Sequence, residues 1–83
     1  MNKIIPLSFL GPGEDGVVKS VTANSLIKRR LLDIGLIEGT KVSCVLKAPS
    51  GDPLAYLIRG AVVALRKEDI SKILVYAKED LWD

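Results

Sequence analysis

Most of the apolar residues of this chain stand in runs of strand length, divided by turn-forming residues. The runs are VVKSV at 17–21, KVSCVLK at 41–47, LAYLI at 54–58, AVVALR at 61–66 and ILVYA at 73–77, all rich in Val, Ile, Leu and Tyr. Such short segments of β-branched and aromatic residues read as strands. Within 41–47, Val42, Cys44 and Leu46 alternate with Lys41, Ser43 and Lys47, which is the period of a half-buried strand. APSGDP fills a turn before residue 54, and Arg59-Gly60 reads as a tight hairpin. Arg is a poor residue for a positive φ, so the turn type stays open.

One segment departs from this pattern. SLIKRRLLDI, residues 25–34, has helix formers at helical spacing. Asn24 or Ser25 supplies an N-terminal cap, and Gly35 supplies the left-handed residue that stops a helix. Ile27, Leu31 and Ile34 form one stripe facing a core. A second short turn is expected over 67–72. The expected fold is mainly β: a small barrel of about five strands, with a helical insertion after the first long strand. Closing the sheet on itself is how a short β chain hides its edges. The expected core is Val42, Cys44, Leu46, Tyr56, Val63, Leu65 and Val75, with Ile27, Leu31 and Ile34 over one opening.

The chain has 83 residues, which allows one domain, expected over 1–77, followed by a short acidic tail at 78–83. A net charge of +2 is far from the strongly basic footprint of a nucleic-acid binder. One cysteine permits no internal disulfide and suggests a reducing compartment. The N-terminal stretch superficially resembles a signal peptide, but Pro6 interrupts it and no small-x-small cleavage pattern follows. No run approaches the roughly 20 apolar residues of a membrane span. The expectation is a cytoplasmic protein without direct membrane insertion.

Gly11, Gly13 and Gly16 have the G-x-G-x-x-G spacing of dinucleotide-binding loops. The physics opposes that reading. Such a loop follows a strand and opens a helix, whereas these glycines precede a strand. Pro12 removes a donor, and Glu14 and Asp15 repel phosphate. A plain turn is expected. Histidine is absent, so Cys44 has no base to activate it, and its place on an apolar face suggests a buried thiol. Asp33 and Glu38 alone make a poor metal site. No catalytic residue, no metal site and no cofactor are expected, and an enzyme is the least favoured class.

Two stretches carry a combined signature: RRLLDIGLIEGTKV at 29–42 and APSGDPLAYLIRGAVVALRKEDISKILV at 48–75. With the leading PLSFL and GVVKSV, the order R-L-x-x-x-G-L-x-x-G, A-P-x-G-D-P, R-G-x-x-x-A-L-R resembles the FeoA family, the ferrous iron transport accessory proteins. The resemblance spans nearly the whole chain except residues 78–83. It implies an SH3-like barrel and a cytoplasmic partner, the GTPase-like domain of a FeoB-type membrane iron transporter. Transition-metal ion binding enters only as a family-level association. The alternatives are a regulatory module related to the SH3-like tails of iron-dependent repressors, a peptide-binding SH3 domain, and a nucleic-acid-binding barrel. The last two need aromatic surfaces, and only Phe9, Tyr56, Tyr76 and Trp82 are available. No nucleic-acid partner is expected, and weak self-association stays open.

The expected partner surface is on the helix. At 100° per residue, Leu26 lies about 100° from the centre of the core stripe, between Asp33 and Arg30, with Arg29 beyond Asp33. A leucine rimmed by charges resembles a small interaction patch. The bland alternative folds Leu26 under the preceding loop and leaves the charges as a solvated face. The partner-binding candidates are Leu26, Arg29, Arg30 and Asp33, with Arg59 at the hairpin as a further surface. Gly35, Asp52 and Pro53 are read as turn residues first. Trp82 either packs on the barrel edge or anchors a partner.

Overall fold

The computed structural model describes residues 2–78. The elements are β1 (Asn2–Pro6), a 3-10 turn (Leu7–Phe9), β2 (Asp15–Val21), α1 (Ser25–Asp33), β3 (Lys41–Lys47), β4 (Leu54–Ile58), β5 (Ala61–Leu65), α2 (Lys67–Ile70) and β6 (Ile73–Lys78). They form one antiparallel six-stranded sheet in the order β1-β6-β2-β3-β4-β5. Trp82 and the rest of the acidic tail beyond Lys78 lie outside the described residues.

Two features refine the sequence reading. Among the described residues there are six strands where about five were expected, because Asn2–Pro6 pairs with β6, Asn2 opposite Lys78 and Pro6 opposite Leu74. β1 is an edge strand with Ile4 exposed and Ile5 half-buried, so it lacks a clean alternation. Pro6 ends it, as an edge allows. The second concerns closure. The sheet is curved around a core, but among the described residues β5 and β1 do not pair, so the hydrogen-bonded ladder is open.

The helix ends as its sequence dictates. The Asn24 side chain accepts from the Ile27 amide at 3.0 Å, capping the first turn. At the other end, the Gly35 amide donates to Leu32 O and the Leu36 amide to Leu31 O, each at 3.0 Å. That crossed pair is a Schellman motif, and it needs a left-handed residue, here Gly35 at φ 100°. Leu31 and Leu36 are both buried behind it.

The core holds Val42, Cys44, Tyr56 and Val75 as expected, and adds Leu7, Leu10, Val18, Leu31, Leu36, Leu54, Ile58, Ile70, Ile73 and Ala77. Leu46 does not belong to it and is 63% exposed. A register shift between Cys44 and Leu46 explains this: the bulge inserts an extra residue and moves Leu46 to the outer face. Val63 and Leu65 are only half-buried because, among the described residues, β5 is the other edge of the sheet. Ile27 and Ile34 are likewise half-buried, while Leu31 is fully packed. Tyr56 is fully buried and donates its hydroxyl to Leu7 O at 3.1 Å, tying β4 to the N-terminal turn.

Candidate functional site

The glycine loop is a turn that serves its own backbone. The Gly11 amide donates to the Glu14 carboxylate, and the Gly13 amide to Cys44 O at 2.8 Å. Gly16 lies buried inside β2, where an added Cβ would meet Tyr76 O and Val75 Cγ2 at 3.2 Å. Carboxylate and strand occupy the place a phosphate would need. Cys44 is buried, and burial pushes its thiol above the ordinary range. Among the described residues no group of three His, Cys, Asp or Glu side chains could hold a metal ion.

Asp52 has a different duty from the one its turn suggested. Its carboxylate accepts the Lys67 amide at 2.9 Å, capping α2 from fifteen residues away. The bond before Pro53 is cis, and Ser50 donates to Asp52 O at 2.9 Å.

The helix face stands clear of the core. Leu26 is 73% exposed, and Arg29, Arg30 and Asp33 are exposed too. Leu26 is therefore not folded under the preceding loop. Spacings of three and four place all four residues on one stripe of α1, about 10 Å long from Leu26 to Asp33. The Arg59 hairpin meets the chain just past the helix, at Gly35. Arg59 and Gly60 have φ 49° and 84°, the pattern of a two-residue type I′ turn. The Arg59 side chain lies across Gly35, so that an added Cβ there would stand 2.9 Å from Arg59 Cδ and 3.3 Å from its Nε. The motifs R-L-x-x-x-G and R-G thus meet in space. The guanidinium approaches the carbonyl end of α1, where positive charge is favoured.

A cleft of about 190 Å³, unforeseen in the sequence, runs between α1 and β5. Ile27, Arg30, Leu31 and Ile34 form one wall, Val63, Ala64 and Leu65 the other, with Asp69 at the side. Arg30 belongs to both surfaces, lining the cleft and bordering Leu26. The half-burial of Ile27, Ile34, Val63 and Leu65 is the signature of this gap. Sequence periodicity marked each of these residues as core-facing. It carried no information on whether the two walls touch.

The described residues form a small antiparallel fold with a charged helix face and an apolar cleft beside it. The chain belongs to the FeoA family: the FeoA domain model matches residues 5–77. It is 36% identical over 69 residues to a Porphyromonas gingivalis (strain ATCC BAA-308 / W83) Fe(2+) transport protein A/Fe(2+) transporter FeoB fusion protein. The match covers 83% of this chain and only 8% of that relative. The NMR structure of a FeoA-like protein from Clostridium acetobutylicum superimposes with a TM-score of 0.85 at 32% identity, covering 98% of this chain and 94% of the other. Stenotrophomonas maltophilia FeoA, a prokaryotic SH3 domain protein solved with zinc, gives a TM-score of 0.75 at 35% identity, covering 86% and 88%. The fold is accordingly an SH3-like small barrel. No helix among the described residues is long and apolar enough to cross a membrane.

Proposed function

We propose that this chain is a non-catalytic accessory protein of ferrous iron uptake, acting in the cytoplasm by binding the soluble GTPase-like domain of a FeoB-type transporter. One observation carries the reading: in the Porphyromonas gingivalis relative, a segment similar to this chain is fused to a FeoB transporter. Fusion holds two partners at high effective concentration, which suits a domain whose work is done on its neighbour. The exposed stripe of α1 supplies the contact. Leu26 is its apolar centre, Arg29, Arg30 and Asp33 form the charged rim, and Arg59, packed on Gly35 beyond the helix end, is a further surface. A nucleic-acid reading loses support with the burial of Tyr56, one of only four aromatic residues.

The test is co-purification with the transporter's soluble domain. Leu26→Asp and Arg30→Glu change exposed side chains, so both variants should keep the melting temperature of the natural chain within about 2–4 °C, as surface changes do. Both should lose the partner. If both fold and still bind, the contact does not involve this stripe.

A further inference from the structure

α1 is held at its ends rather than along its length. Before it, the Thr22 amide donates to Lys72 O at 3.3 Å. After it, the Gly39 amide donates to Val18 O at 2.8 Å and the Val18 amide to Thr40 O at 2.9 Å. Between those points, among the described residues, no hydrogen bond or ion pair joins α1 to a strand or to α2. Leu31 is buried, but Ile27 and Ile34 are half-buried and face the cleft, as Val63 and Leu65 do from β5. The C-terminal end carries a pin. Arg59 lies across Gly35, and it does so from a φ of 49°, which a non-glycine residue holds only at a cost. The charged residues that line the cleft are Arg30 on α1 and Asp69 on α2, opposite in sign, and they form no ion pair in this structure. On the helical wheel Arg30 lies between the core-facing stripe and Leu26, so its flexible stem serves either side.

We propose that α1 is a flap, pinned at Gly35, that closes onto β5. Ile27 and Ile34 come to rest on Val63 and Leu65, and Arg30 leaves the partner stripe to pair with Asp69. This structure is the open form. Closure removes apolar surface from water on both walls of the cleft, which is favourable. It also brings opposite charges together beside a surface from which water has been expelled, where their attraction is stronger. The partner stripe and the closed form compete for the same guanidinium. A partner that grips Arg30 therefore binds the open form, and the Arg30–Asp69 pair is an autoinhibitory contact. The association constant of the natural chain is then the intrinsic one multiplied by the fraction of chains that are open. The consequence for the partner rests on the function proposed above; closure itself does not.

Two variants remove the closed form in different ways. Asp69→Asn deletes the charge that Arg30 closes on, and Val63→Phe sets a ring in the cleft as a wedge under α1. Neither residue belongs to the partner stripe. Titrated against the transporter's soluble domain, each should bind about two- to fivefold more tightly than the natural chain. The double variant should gain no more than the larger single effect, because a form once removed cannot be removed again. A residue that only supports the fold would weaken binding or leave it unchanged when replaced. The isolated chain reads closure without the partner. Asp69 also lies in the first turn of α2, where a carboxylate is favoured, so Asp69→Asn lowers Tm by itself. Part of that loss should disappear when Arg30→Gln is already present, and this shared part should vanish at about 1 M salt, where screening acts within about 3 Å. Strictly additive Tm shifts at low salt overturn closure. Asp69→Asn binding no more tightly than the natural chain overturns the autoinhibitory contact, whether or not Val63→Phe folds. If no chain binds the soluble domain at all, the proposed function fails, and the Tm cycle alone decides closure.

Discussion

Replacing Gly35 with Ala tests how the two family motifs are joined. Two separate costs apply. Gly35 has φ 100°, where an L-residue pays about 1–2 kcal/mol for the left-handed conformation. The new methyl would also stand 2.9 Å from Arg59 Cδ, well inside van der Waals contact. The arginine stem is flexible enough to move, so the steric part is the smaller, about 0.5–1 kcal/mol for displaced side-chain packing. Because Gly35 also closes the Schellman motif that buries Leu31 and Leu36, the backbone has no easy route to another conformation. For a domain of this size each kcal/mol moves Tm by about 4–8 °C, so the combined cost of about 1.5–3 kcal/mol should lower it by about 6–24 °C. The assay is a thermal melt followed by far-UV circular dichroism, run as a double-mutant cycle with Arg59→Asn. Asn tolerates the positive φ of position 59 and lacks the long stem. In that background Gly35→Ala should cost about 0.5 kcal/mol less or better. A Tm unchanged within 2–4 °C, roughly half a kcal/mol, would refute the conformational argument. Equal costs in both backgrounds would refute the steric part alone.

Tyr56→Phe should cost about 1–2 kcal/mol by leaving the buried Leu7 carbonyl without its donor, read as a lowered Tm. Burial pushes the Tyr56 phenol well above its ordinary value, so the unfolded chain loses this proton first, and stability should fall as pH rises past about 10; the part of that fall due to Tyr56 should vanish in Tyr56→Phe, checked by denaturant melts from pH 8 to 11. Anaerobic calorimetry should detect no stoichiometric, sub-micromolar Fe²⁺ site in the isolated chain, because iron favours imidazole and carboxylate ligands held in a fixed shell and this chain has no histidine.

What was legible in the sequence is what short-range chemistry controls. Asn24 and Gly35 mark the two ends of α1 because capping bonds span only three to five residues. The runs at 41–47, 54–58 and 73–77 became strands because alternation and β-branching act within each run. The burial of Leu31 followed from a helical wheel, which put Leu26 off the core stripe but left open whether the preceding loop covers it. Readings failed where the deciding partner is distant in the chain. β1 exists because it pairs with β6, whose partners lie 68 to 76 residues later, and an edge strand carries little pattern of its own. Leu46 turns outward at a bulge that arises only when β3 meets β4.

The amino-acid sequence alone therefore determined a mainly β chain with one capped amphipathic helix, tight turns, a buried thiol and no equipment for histidine chemistry, because each rests on residue type and spacing. It also carried the combination of motifs that marks the FeoA family. Tertiary structure alone decided that Asp52 caps α2, that Arg59 lies over Gly35, and that β5 is an edge of the sheet among the described residues. The α1–β5 cleft belongs to the same class. Its walls are apolar residues that any core would accept, and whether they meet or leave a gap depends on how far the fold holds one backbone from another. That separation is a property of the assembled packing and is written in no local run of residues.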